Sequence, residues 1–262
     1  MSALRQAIVV EMLKARRSNV PLFTALGFSL APIAGGFFMV VLKDPELARN
    51  MGLISVKAQI IAGSADWPAY FGMLAQAVSI GGMVVFSFIV SWVFGREYSD
   101  HTIKDLLALP TSRRSIVYAK FIVIAIWSAL LTMLVVLLGL AIGAIVVLPL
   151  ASNAVFFSGI STMLVCAVMT IIVMLPIGFF AGAGRGYLAP MGIAMLVLIL
   201  AQLVGATGWG EFFPWSIPAM YSGAAGPEAA QMGVASFIVV FVTGILGVIA
   251  TVYWWEHADH TH

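Results

Sequence analysis

Between Phe121 and Gly184 the chain reads FIVIAIWSALLTMLVVLLGLAIGAIVVLPLASNAVFFSGISTMLVCAVMTIIVMLPIGFFAGAG, 64 residues without a single Asp, Glu, Lys or Arg. A hydrocarbon layer about 30 Å thick is crossed by about 20 residues of helix, so this stretch is too long for one crossing. Pro149, Ser152 and Asn153 interrupt it near the middle, and the interruption makes it a hairpin of two spans. Four other uncharged intervals, Ser18 to Leu42, Trp67 to Gly95, Gly186 to Gly210 and Ala229 to Trp255, supply one span each. The expected fold is an all-α membrane protein. Six transmembrane helices are expected at about 20–42, 70–94, 121–148, 155–181, 188–208 and 233–254, in a single transmembrane domain covering 1–262. Apolar residues run on continuously over about 20 or more positions instead of alternating over about ten, which favours helices over barrel strands.

Composition agrees. The chain is 62% hydrophobic and 9% charged, with a mean hydropathy of +1.07, against roughly 25% charged residues in soluble domains. The first apolar stretch is longer than a secretory h-region and lacks a small-residue cleavage pattern, so it stays as a signal-anchor span. A single cysteine, Cys166, excludes an internal disulfide.

An even number of spans puts both termini on one side. If the amino terminus is cytoplasmic, that side gathers Arg5, Lys14, Arg16, Arg17, Arg96, Lys104, Arg113, Arg114, Lys120 and Arg185, leaving only Lys43, Arg49 and Lys57 opposite. The positive-inside rule therefore places both ends in the cytoplasm. Trp67 and Trp209 then mark outer span ends, and Trp92, Trp254 and Trp255 inner ones.

Outside the spans, residues 1–19 form an amphipathic interfacial helix. Leu4, Ala7, Ile8, Glu11 and Met12 follow helical spacing, and Arg5, Lys14, Arg16 and Arg17 suit the cytoplasmic headgroups. It is either a basic anchor that fixes topology or a specific structural part. The first outer loop reads as a helix capped by Asp44, opened by Pro45 and closed by Gly63, with Leu47, Met51, Ile54, Ala58 and Ile61 in one stripe. The last outer loop has no Lys or Arg and crowds Phe212, Phe213, Trp215, Ile217, Met220 and Tyr221 into ten residues between Glu211 and Glu228. Part of it is expected to dip into the bundle as a re-entrant segment before the last span. It then lines an outer mouth, or serves as an aromatic plug or dimer surface.

One stretch contradicts the apolar background. GREYSDHTIKDLLALPTSRRSIVYAK, residues 95–120, holds eight of the 24 charges and falls on the cytoplasmic side. Thr102 is an N-cap with Asp105 three residues on, Pro110 ends the turn, and Ile103, Leu106 and Leu107 share a face. A solvated loop would leave Leu106, Leu107 and Leu109 in water, and a substrate patch fits the mixed signs poorly. An apolar face with a charged rim suits docking in the groove of a cytoplasmic protein.

This stretch resembles the cytoplasmic loop of the ABC type-2 permease family, in which a Glu-containing segment after the second span runs into T-x-x-x-L-L-A-L-P-x-S-R. Six spans, a basic helix before the first and a dipping loop before the last are also similar, so the resemblance covers essentially the whole chain, with only the loop motif specific. The resemblance implies that Thr102 to Leu109 is a coupling helix seated in a cleft of a separate ATPase subunit. Thr102, Ile103, Lys104, Asp105, Leu106, Leu107, Leu109 and Arg113 would then be coupling positions, with Glu97 the acidic position near the cytoplasmic mouth. It further implies a permease of the plasma (inner) membrane in an ATP-driven exporter, nearest to those of antibiotic-peptide immunity and multidrug export. Two ATPase copies and a second permease, identical or a close paralogue, complete the expected assembly. ATP and Mg would sit on the partner, with no cofactor in this chain and no nucleic acid bound.

The residues themselves carry no ATP site: there is no G-x-x-x-x-G-K-[ST], and Gly182, Gly184 and Gly186 read as close packing and a flexible connector. No nucleophile and base are paired, so an enzyme is not expected. His257, His260 and His262 in the tail either hold a transition metal or form a plain polar end, and His101 stands alone. The alternative function is an autonomous channel or secondary transporter working without ATP. Ion-coupled transporters keep ionisable groups near the midplane, and the six expected spans hold no Asp, Glu, His, Lys or Arg; their polar groups are neutral, among them Gln76, Ser128, Thr132, Ser161, Thr162, Thr170 and Gln202. Gln76 and Gln202, both in outer halves, either face a pathway whose mouth includes Glu211 or bond neighbouring helices. Gly139 with Gly143 and Gly178 with Gly182 permit close helix contact; Pro32 beside Gly35 and Gly36, and Pro176, are bends.

Overall fold

The computed structural model describes residues 3–44, 64–103, 106, 111–224, 226 and 232–258. The helix expected from Pro45 to Gly63 lies outside them. Among the described residues the chain is helices and turns without a strand, and six helical segments are long and apolar enough to cross a membrane. Helix α1 (Ala3–Arg16) turns sharply into α2 (Val20–Lys43). Helix α3 (Trp67–Gln76) passes through one wide π turn (Ala77–Gly81) into α4 (Gly82–Ser99). Next come α5 (Arg113–Ile145), α6 (Asn153–Met174) and α7 (Ile177–Ala183), then α8 (Leu188–Gly205). A 3-10 turn (Gly210–Phe212) and the short α9 (Ile217–Tyr221) precede α10 (Val234–His257).

Three of the helical segments are much longer than a crossing needs, Asn153–Ala183 with 31 residues and two longer still. Trp67–Ser99 and Arg113–Ile145 each have 33 residues, about 50 Å of helix at 1.5 Å per residue, against about 30 Å of hydrocarbon. The surplus lies at the end of the bundle that carries α1, where it lifts Arg96, Glu97 and Lys120 onto helix. The charged stretch 95–120 is therefore only partly a loop: Ser99 and Arg113 bound the connection.

Local chemistry sets the breaks. Asp66 accepts from the Ala69 amide at 2.9 Å and opens α3, and Ser112 accepts from the Ser115 amide at 3.3 Å and opens α5. Pro176 removes an N–H and divides α6 from α7. After α5, Val147 has φ 56°, a backbone that β-branched residues avoid. The Lys43 ammonium braces it by donating to the carbonyls of Val146 and Val147, where a cation also meets the negative end of the helix dipole. Asp44 ends α2, its amide bonded to the Val40 carbonyl at 3.3 Å.

Close approaches use small residues. Tyr70 donates to the Pro32 carbonyl at 2.9 Å, and its ring fills the space left by Gly35. A Cβ on Gly139 or Gly143 would lie 2.5 Å from Leu74 or Trp67, so this pair admits α3 to α5. Near the far end, Ser216, Ile217, Pro218 and Ala219 are buried; Trp215 donates to the Val173 carbonyl at 2.8 Å and Cys166 faces the Pro218 carbonyl at 3.7 Å.

The tightest backbone contact is Gly247 against the α6–α7 break, where a Cβ would stand 2.6 Å from the Pro176 nitrogen. Gly247→Val should therefore force α10 outward and destabilise the protein by about 1–3 kcal/mol. Thermal unfolding in detergent would show this as a lowered Tm relative to Gly192→Val, since Gly192 has open space around its Cα.

Candidate functional site

The surplus turns of α4 and α5 enclose charge. Lys120, on the second turn of α5, is fully buried, and Glu97 of α4 and Glu11 of α1 are nearly so, at 3% and 6% exposure. The Lys120 ammonium uses all three of its hydrogens, donating at 2.9 Å each to Glu11 Oε2, Glu97 Oε1 and the Val93 carbonyl. Lys14, one turn beyond Glu11, donates to Glu11 Oε1 at 2.9 Å and to Glu97 Oε1 at 2.7 Å. Two cations and two anions close a ring of zero net charge across three helices. The Lys120 nitrogen also lies 6.0 Å from the ring centroids of Phe94 and Trp255, so apolar walls surround it.

The remaining oxygen of Glu97 reaches the Ser99–Arg113 connection. Thr102 Oγ1 donates to Glu97 Oε2 at 2.8 Å, and the Thr102 amide to the Glu97 carbonyl at 3.0 Å. From there the Leu106 amide returns to the Thr102 carbonyl at 3.0 Å, a helical bond, and Ile103 and Leu106 are buried against the bundle's core. Lys104, Asp105, Leu107 and Leu109 lie outside the described residues.

Two arginines tie the flanks. Arg96 pairs with Asp100 at 3.0 Å, stacks over Trp92 at 5.1 Å, and donates to the Lys14 carbonyl at 3.3 Å. Arg113 donates to the carbonyls of Trp255 and Glu256 at 3.1 and 3.2 Å, satisfying the orphan acceptors at the end of α10. Arg114 pairs with Glu256 beside it. Arg113 thus joins α5 to α10. On the opposite flank, a Cβ on Gly95 would meet the Gly186 carbonyl at 2.7 Å, which places the Gly184–Gly186 turn in contact with α4.

Burial opposes the charge on Lys14, but Glu11 and Glu97 outweigh it and raise its pKa above the usual 10.5. A raised lysine stabilises the fold at all pH below its unfolded pKa and loses that contribution only as pH climbs through the folded value. Lys14 therefore stays charged across the physiological range.

The sequence pointed to Glu97 and Thr102 but missed Glu11, Lys14 and Lys120 as partners. Glu11 did leave a trace, as the only acid of a basic helix and on the apolar stripe of Leu4, Ala7 and Ile8. The pathway residues are dispersed. Gln76 ends α3 half-buried, Glu211 is half-buried in the 3-10 turn, and Gln202 is exposed on α8. The main packing partners of α8 are α4, α7, α9 and the 3-10 turn; α3 is not among them. A far-end groove of about 400 Å³ opens between α3 and α6, lined by Pro68, Phe71, Gly72, Ser158, Gly159 and Thr162. Gln76 continues the Pro68 and Gly72 stripe by one turn.

Among the described residues, six helices long and apolar enough to cross a membrane, with no strand, define a multi-pass membrane protein. The chain belongs to the ABC-2 family of transporters, whose model, described as ABC-2 family transporter protein, matches residues 7–201 and so includes all four members of the charge ring. Over 179 residues it is 29% identical to the bacitracin transport permease protein BCRB of Bacillus licheniformis, an alignment that covers 68% of this chain and 85% of that one.

Removing one member of the ring strands the others. Lys120→Met leaves two carboxylates with one lysine and should cost about 3–5 kcal/mol, because an uncompensated buried charge remains. Adding Glu97→Gln restores neutrality, and thermal unfolding of the double variant should recover a large part of the lost Tm.

Proposed function

We propose that this chain is the permease subunit of an ATP-driven exporter, coupled to a separate ATPase that binds ATP and Mg. The observation that carries this reading is the bond from Thr102 to Glu97. Through it, a short segment with the family's coupling motif is attached to a buried ion ring shared by α1, α4 and α5. Closure of the ATPase would press on the segment containing Ile103 and Leu106. Because the ring is fully bonded, the push would move α1, α4 and α5 together instead of bending a side chain. Lys104, Asp105, Leu107 and Leu109 would complete the contact surface, with Arg113 passing the motion to α10.

In this reading the charged end is cytoplasmic, as are both termini, and the protein resides in the plasma (inner) membrane. Two copies, or this chain with a close paralogue, join two ATPase subunits. The buried turn from Ser216 to Ala219 would be a re-entrant element at the outer face. Gln76 and the groove beside it would lie on the export route, with Glu211 at its mouth; exposed Gln202 would face the route only across a second copy. The similarity to a bacitracin transport permease favours amphipathic antibiotics as the cargo.

Leu107→Asp should abolish co-purification with the ATPase, or cut stimulated ATP hydrolysis at least tenfold, while the permease keeps its Tm; Leu106→Asp, placed against the bundle's own core, should instead lower that Tm. Thr102→Val should leave the partner bound and lower stimulated hydrolysis severalfold. Full stimulation with Leu107→Asp would remove this segment from the coupling.

A further inference from the structure

Helix α1 has a second face. Its inner side carries Glu11 and Ala15, both buried. At about 100° per residue, Val9 and Leu13 stand opposite them, exposed at 52% and 44%. Exposed Arg5 and Arg16 lie to one side of that pair. Arg17 lies to the other, in the turn that still bonds its amide to the Leu13 carbonyl at 3.0 Å. Glu11, the one acid of α1, is committed inward to Lys14 and Lys120. The outer face therefore shows three guanidinium groups and no carboxylate around an apolar centre, two residues before α2 enters its span.

We propose that this outer face binds anionic phospholipid, and that α1 thereby links the charge of the leaflet to the coupling segment. The mixture on the face selects the partner. Arginines alone would suit any acidic surface, but Val9 and Leu13 among them, at the level where a span begins, fit a helix half-sunk between headgroups, with side chains reaching up to phosphate. Attraction to the leaflet grows with each basic residue held near an anionic surface. The inner face of the same helix grips Glu97, which holds Thr102. A change in how α1 sits on the lipid thus acts directly on the ring. Lipid contact stands on the geometry of α1 alone; the link to ATP hydrolysis rests on the proposed function.

The test uses the whole chain in nanodiscs of phosphatidylcholine, with or without phosphatidylglycerol. Cys166 is buried, so a nitroxide can be placed at Leu13→Cys. With phosphatidylglycerol, collisions of the label with lipid-dissolved oxygen should rise severalfold relative to an aqueous nickel chelate. R5Q/R16Q/R17Q should remove that rise. In discs that also hold the ATPase, phosphatidylglycerol should raise ATP hydrolysis severalfold for the unaltered chain and leave the triple variant unchanged, with the ATPase still bound to both. A label equally open to nickel chelate in both lipids, or a triple variant that keeps the lipid response, overturns the inference. So does protection of the label that requires the ATPase, which would give this face to a protein. If the ATPase never associates with the unaltered chain, the proposed function fails, and the label alone decides the lipid contact.

Discussion

The structure turns on an ammonium group that has no water. Lys120 is taken wholly out of solvent, a loss that only close and complete pairing offsets. Its three bonds supply that pairing, and they come from two different helices. Any displacement of α1 or α4 relative to α5 would break at least one bond where no water replaces it. The ring is therefore a geometric constraint more than a source of stability, since apolar residues of similar size could fill the site without the desolvation cost. What it provides is one permitted arrangement of three helices at the end of the bundle that carries the Ser99–Arg113 connection.

The remaining bonds at that end extend the constraint outward. Arg96 holds the last turn of α1, and Arg113 holds the last turn of α10. In each case a guanidinium answers carbonyls that a helix terminus leaves without partners. Four helices are thus joined through side chains that start within a few residues of the Ser99–Arg113 connection. The far end is built differently, from aromatic rings and glycines. Trp67, Phe71 and Phe156 cluster there with centroids 4.8–5.8 Å apart. The charged end is tied mainly by ion pairs and the far end mainly by apolar contact, with Lys43 bracing the close of α5 there.

The span count was legible because lipid leaves the backbone no alternative to helix, so apolar length translates into crossings. The hairpin break at Pro149, Ser152 and Asn153 falls between Ile145 and Asn153, where α5 ends and α6 starts, and Pro176 separates α6 from α7. Helix ends at the charged side were not legible. Arg96 and Arg113 look like loop residues because they are charged, yet both lie on helix, Arg96 bonded to Asp100 and to the distant Lys14 carbonyl, and Arg113 to carbonyls at the end of α10. Glu11 meets Lys120 across 109 positions, and no periodicity records such a pairing. The motif that starts at Thr102 was readable as a pattern, but the bond from Thr102 to Glu97 required the fold. Gln76 and Gln202 looked equivalent by depth, and only packing separated a half-buried side chain from an exposed one.

One more feature sets how the two ends relate. The π turn at Ala77–Gly81 stands midway between the groove and the ring, on a single continuous rod. A π turn carries one residue more than the α-helix it interrupts, and one residue corresponds to about 100° of rotation. That extra residue sets the phase of the rod, allowing Gly72 to open on the groove while Glu97 points at Lys120. Were it lost, the rod would straighten into uniform helix and only one of its two ends could keep its seat.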